Sequence, residues 1–245
     1  MTDPNFSALL QSIRRCNAVY EPDYDVARGL FHDLGCRVIA RLSDTEAQAV
    51  LHIAPDGMLT LTISGTRVSA GPLLARFTDV FEDAEEVAYN TDIGDGAIVA
   101  SGAWHRARLV WWWAGPFIGA GALRIEGHSL GGQTTHALLA MIPAEQIAEA
   151  IAWEAPKAGN DAFWTRVQST APRRITVLHG RDPWADHPII SQSLRHDPGQ
   201  IIWLQPPGNW AWTTRDAWPG ADWLCEREHN TERVADTVKR VCGNA

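Results

Sequence analysis

No stretch of the chain comes near the ~20 consecutive apolar residues that a membrane-spanning helix needs. The first twenty residues also lack the apolar core of a signal peptide, because the amphipathic run Asn5 to Ile13 leads straight into Arg14-Arg15. There is no basic block: 21 Lys and Arg are set against 29 Asp and Glu, a net charge of −8. That balance argues against nucleic acid and anionic membrane surfaces as partners. Cysteine is scarce. Cys16, Cys36, Cys225 and Cys242, with no export signal ahead of them, read as free thiols, and the expected location is the cytoplasm. Repeats, low-complexity tracts and linkers are missing too, so residues 1–245 are expected to form a single domain.

What the chain has in excess is tryptophan, twelve in all. Trp111-Trp112-Trp113 stand together, and Trp203, Trp210, Trp212, Trp218 and Trp223 crowd the last third.

The most informative stretch is Gly127-His128-Ser129-Leu130-Gly131-Gly132. Ala122 to Ile125 before it has the look of a buried strand, and Gln133 to Met141 after it is rich in helix formers. Strand, glycine-rich turn and helix are the context of a G-x-S-x-G nucleophile elbow. Its glycines allow close packing, and its serine sits on a strained backbone at the top of a sheet. The bland alternative is a glycine-rich turn with a capping serine.

The elements around the elbow alternate. Asn5–Tyr20 and Asp23–Leu34 read as helices, and Arg37–Leu42, Ala47–Ile53 and Met58–Ile63 as strands, the last two joined by the hairpin signal Ala54-Pro55-Asp56-Gly57. Pro72–Phe81 reads as a short helix, Asp92–Gly96 as a loop and Ser101–Trp113 as a helix. Ile147–Trp153, Arg174–Leu178 and Gln200–Leu204 read as strands, the last of them closing the sheet, with helices at Asp161–Gln168 and His229–Val241. The expected class is α/β: a mostly parallel central sheet, an antiparallel N-terminal hairpin, and helices on both faces.

A serine hydroxyl needs a base to take its proton, and the base needs an acid to orient it. In this fold class the order is serine, acid, histidine, each after a later strand. Asp182, after Arg174–Leu178, fits the acid. Of nine histidines, His229 lies after the last expected strand and fits the base, with His187 as second candidate. The backbone N–H of Leu130 would be one oxyanion donor, and Thr66 at an early strand end the other.

Here the chain resembles the class 3 lipases, the fungal triacylglycerol lipase-like family with the α/β-hydrolase fold. Ile63-Ser64-Gly65-Thr66 is similar to the family's FRGT strand end, and the elbow to its usual elbow. Trp153 to Asn160 resembles FGAPRVGN, and Gly180 to Trp184 the acid loop xxDPV. The resemblance runs from about residue 58 to 229. It implies Ser129, Asp182 and His229 as a triad, Thr66 and Leu130 as oxyanion donors, a lipid or other acyl ester as substrate, and no metal or organic cofactor. Ser64 stands where the family has arginine, and Val99 to Ala103 lacks the histidine of the VHxGF segment.

Other readings compete. His179, Asp182, Asp186 and His187 lie close enough in sequence to suggest a metal hydrolase. A binding module with a hydrolase fold and a tryptophan-rich ligand site is the non-enzymatic alternative. The Pro/Gly-rich stretch Pro206–Cys225 is expected to be a loop roofing the site. On that reading Trp210, Trp212, Trp218 and Trp223 would contact substrate, against the plainer expectation that they are core. The sequence says nothing about oligomeric state.

Overall fold

The structure, a computed structural model, describes residues 3–65, 90–119, 121–170, 174–186, 193–199, 201–214 and 216–244. Helix α1 (Phe6–Ala18) starts where the Asn5 side chain accepts the Ala8 N–H, and it buries Phe6, Leu9, Ile13 and Cys16 along one stripe. Helix α2 (Tyr24–Asp33) is capped in the same way by Asp23. Three strands follow as an antiparallel meander: β1 (Arg37–Ser43), β2 (Gln48–Ile53) and β3 (Leu59–Ile63).

From β3 onward the sheet is parallel. It continues through β6 (Leu123–His128), β7 (Ile147–Trp153), β8 (Arg174–His179) and β9 (Ile201–Gln205). A last strand, β10 (Asn209–Thr213), pairs antiparallel with β9 and completes the eight-stranded order β1-β2-β3-β6-β7-β8-β9-β10. A separate two-stranded hairpin is formed by β4 (Asn90–Asp92) and β5 (Ile98–Ala100), so the Asp92–Gly96 stretch expected as a plain loop is largely its turn. The expected Pro72–Phe81 helix lies outside the described residues.

Strand alternation sends side chains to two layers. Leu61, Ile63, Leu123 and Ile125 face α3 (Ser101–Ile118) and α4 (Leu130–Leu138), where Ala107, Val110 and Leu138 meet them, and α5 (Asp161–Thr170) adds Phe163 and Trp164. Ile151, Trp153, Val177 and Ile202 face the other way, against α1 and α6 (Thr231–Asn244), whose Val234, Val238 and Val241 form the inner stripe. Among the described residues no helix is long and apolar enough to cross a membrane. Their four cysteines are free thiols.

Two sequence expectations are corrected. Gln200–Leu204 is not the final strand, because the stretch read as a roofing loop contributes β10. Trp210 and Trp212 lie on that edge strand and pack on the α1/α6 layer, Trp210 edge-on to Phe6 at 5.0 Å. Alternation of indole and small residues around Ala211 is a strand pattern, and packing Trp210 on Phe6 and Trp212 on Trp210 stabilises the edge. Second, the helix expected to stop at Trp113 runs on to Ile118, through Pro116. Trp112 projects from it 79% exposed, while Trp111 and Trp113 pack on the core.

A buried ion pair joins α1 to the central sheet. Arg15 of α1 makes a two-pronged contact with Glu126 of β6, both at 2.7 Å, and Thr62 donates to the same carboxylate at 2.7 Å. Both ions are buried. Burial by itself would raise the Glu126 pKa, but Arg15 and Thr62 hold it below the usual carboxylate value. Removing one partner leaves a buried, uncompensated charge. Arg15→Met is expected to cost about 3–5 kcal/mol in urea unfolding, and Arg15→Met with Glu126→Leu to recover most of it. A double variant as unstable as the single one would contradict this.

Candidate active site

The G-x-S-x-G segment forms the turn between β6 and α4. Ser129 has φ +59°, and its N–H donates to the Trp153 carbonyl of β7 at 2.9 Å. A non-glycine residue in this left-handed region is strained by roughly 1–3 kcal/mol. The turn is possible because a Cβ on Gly127 would run into the Gly131 backbone, so only glycine lets the helix start this close to the strand. Leu130 opens the helix, where the first backbone N–H groups have no intrahelical acceptor.

Asp182 follows β8 through Gly180 and Arg181. Its Oδ1 accepts the Trp184 N–H at 3.0 Å, and its Oδ2 lies 2.6 Å from Nδ1 of His229. His229 ends the short 3-10 helix Trp223–His229, just ahead of α6. The other ring nitrogen, Nε2, is 2.7 Å from Ser129 Oγ. Asp182 is fully buried, whereas the imidazole is 19% exposed. The three residues lie far apart in sequence, and one ring bridges the other two.

Side chains behind the site hold these loops. His179, at the end of β8, donates from Nδ1 to the Glu228 carbonyl at 2.8 Å, and its Nε2 meets Thr237 Oγ1 at 2.9 Å. Burial lowers its pKa, which suits a neutral ring with one donor and one acceptor nitrogen. Trp203 and Trp218 both donate their indole N–H to the Gly180 carbonyl, at 2.7 and 3.2 Å. Trp218 is therefore a buried brace for the acid loop. Trp223 begins the 3-10 helix. The tryptophan beside the imidazole is Trp184, with ring centroids 6.3 Å apart, a residue the sequence reading left without a role.

On the other side, Gly65, two residues after β3, lies hard against Ser129: a Cβ there would sit 2.7 Å from the serine Cβ. Its N–H donates to Tyr20 Oη at 2.8 Å, and Tyr20 Oη lies 2.8 Å from Nδ1 of His128. Where the resembling motif has arginine, the Ser64 carbonyl accepts from Arg106 of α3 at 3.0 Å. Thr66, the expected oxyanion donor, lies outside the described residues, as does His187, the second candidate base.

Of the four residues of the metal-loop reading, three have partners within the protein, and His187 lies outside the described residues. His179 is bound to Glu228 and Thr237, Asp182 to His229, and Asp186 to Lys157 at 2.7 Å. Among the described residues the grouping of His, Cys, Asp and Glu tight enough for an ion is His128, Glu154 and His229, with candidate atoms within 4.8 Å. The two imidazoles there already bond Tyr20, Ser129 and Asp182, so the grouping reads as a proton network. Glu154 was missed from sequence. Its signal was a glutamate where the segment resembling FGAPRVGN would have glycine.

Solved structures with a similar architecture include several fungal lipases. The mono- and diacylglycerol lipase of Aspergillus oryzae is 14% identical over 97% of this chain and 100% of its own, with a TM-score of 0.70. The lipase of Rhizopus microsporus var. chinensis is 18% identical over 94% of this chain and 87% of its own, at 0.68. The triacylglyceride lipase of Rhizomucor miehei is 14% identical over 95% and 98%, also at 0.68. The fold is that of the fungal lipases. No protein-family model matches the chain, and no curated protein matches it by sequence. The mostly parallel sheet with its antiparallel start and two helical layers is thus an α/β-hydrolase fold, as the four motifs implied.

Because the elbow depends on glycine contact, Gly127→Ala is expected to destabilise the chain by about 1–3 kcal/mol through overpacking. A denaturation midpoint unchanged from the native chain would show that the helix can back away.

Proposed function

We infer that the chain is a serine ester hydrolase of lipase or carboxylesterase type, acting through an acyl-enzyme on a lipid or other acyl ester. One observation carries the reading: the His229 ring bridges Ser129 Oγ at 2.7 Å and Asp182 Oδ2 at 2.6 Å. The lipase fold of the solved neighbours supports it.

In this scheme Asp182 accepts the Nδ1–H, which fixes the tautomer and leaves Nε2 free to take the serine proton. Ser129 Oγ attacks the ester carbonyl, and the imidazolium formed is stabilised by the buried carboxylate, which does not itself take the proton. The tetrahedral oxyanion is held by the Leu130 N–H at the start of α4 and by Thr66. His229 returns its proton to the leaving alcohol. Water, activated by the same imidazole, then releases the acid. The scheme asks for no metal or organic cofactor. Trp184, next to the base, offers an apolar face for the acyl or alcohol group.

A fluorophosphonate probe is expected to add once to the native chain, at Ser129, and not at all to Ser129→Ala. On p-nitrophenyl esters Ser129→Ala and His229→Ala should each lower kcat by about ten-thousand-fold or more. An unlabelled native chain, or an active Ser129→Ala variant, would overturn the assignment. Trp184→Ala is expected to raise KM several-fold for long-chain or aryl esters with kcat nearly intact; a KM equal to the native value would remove Trp184 from the substrate site.

A further inference from the structure

Beside the imidazole of His229 lies a second acid that the scheme above does not use. Glu154 is the first residue after β7, fully buried, with φ +47°. Its Oε2 lies 3.8 Å from His229 Nδ1, the nitrogen that Asp182 holds, and 3.0 Å from Nε2 of His128. Its Oε1 is 4.0 Å from Nδ1 of His179 and, among the described residues, accepts no hydrogen bond. A buried carboxyl that is half-satisfied and on strained backbone is costly, and such outliers cluster at functional sites.

We propose that Glu154 is a second acid of the active centre, a positioning residue that shares the Nδ1 edge of His229 with Asp182 and connects it, through His128 and Tyr20, to the Gly65 backbone. The inference rests on the serine hydrolase reading.

The groups that face Glu154 are Asp182 on the loop after β8, Glu228 and His229 on the 3-10 helix, His128 on β6 and His179 on β8. Burial first, then the negative charges of Asp182 and Glu228, favour the protonated carboxyl. Burial and His229 likewise keep His128 neutral. One assignment of protons that fits both is a relay. The Glu154 hydroxyl donates to His128 Nε2, His128 Nδ1–H donates to Tyr20 Oη, and that oxygen also accepts the Gly65 N–H. Asp182 then carries the one negative charge next to the base, and two carboxylates never compete for the same imidazole. The relay connects the proposed base with the strand end beside Ser129. Because the Asp182 charge helps to keep Glu154 protonated, losing that charge favours ionisation of Glu154. A carboxylate at 154 is then placed to accept the Nδ1–H.

The test is a cycle of Glu154→Gln, Asp182→Ala and the double variant, with kcat and KM on a p-nitrophenyl ester across pH. The effect of Glu154→Gln is read in both backgrounds. Glutamine donates to His128 as the neutral acid does but cannot ionise. In the native background Glu154→Gln is expected to lower kcat about threefold with KM within about twofold. In the Asp182→Ala background the same change should lower kcat about thirtyfold, a tenfold coupling within the range seen for neighbouring groups. The ratio of the kcat of Asp182→Ala to that of the double variant should rise with pH as Glu154 loses its proton. Equal factors in both backgrounds, or identical pH profiles with and without Glu154, would overturn the proposal. If Asp182→Ala fails to fold, Asp182→Asn takes its place in the cycle with the same criteria. Fluorophosphonate labelling of the native chain reads the serine assignment separately. A labelled native chain with no coupling therefore rejects only the role of Glu154.

Discussion

The left-handed turn at Ser129 is the constraint on which the rest of the site depends. It ends β6 and starts α4 within one residue, which demands glycine at Gly127 against Gly131 and a carbonyl for the serine N–H. That carbonyl belongs to Trp153, the end of the neighbouring parallel strand. The turn can exist only where β6 and β7 finish together. The same parallel arrangement then delivers Asp182 after β8 and His229 after the β9–β10 hairpin to the same edge of the sheet.

Loops that carry chemistry need support from behind, and this chain supplies it with buried donors aimed at main-chain carbonyls. His179 holds Glu228, one residue before the proposed base. Trp203 and Trp218 converge on Gly180, two residues before the proposed acid, and Arg106 grips Ser64 beside Gly65. Each contact fixes a loop by its backbone and leaves the next side chain free to point into the site. Half of the twelve tryptophans have structural places of this kind: two indoles brace the acid loop, two lie on an edge strand, and Trp153 and Trp164 are core.

Polar groups in the interior divide into two kinds. Around Glu126 every strong charge is matched: Arg15 and Thr62 fill the carboxylate, and α1 is pinned to the sheet. Around Glu154 the matching is incomplete, with one oxygen unbonded among the described residues and a strained backbone beneath it. A fully satisfied buried network specifies structure; the incompletely satisfied one lies beside the proposed base.

Local pattern made much of this molecule legible in the sequence. Apolar spacing in Asn5–Tyr20 and His229–Val241 marked two helices and their inner faces, and Pro55-Asp56-Gly57 marked the β2–β3 turn. The glycines around Ser129 and the order of Asp182 and His229 pointed to residues that lie together in the fold. Those features are encoded by neighbours a few positions apart, or by a chain order that the parallel sheet imposes. Tertiary structure alone decided the rest. Whether Trp210 and Trp212 roof a site or cover an edge depends on Phe6, near the other end of the chain. That His179 braces the loop of the proposed base, and that Glu154 faces it, depends on three strand ends meeting. Periodicity reports which face a side chain takes; only packing determines what waits on that face.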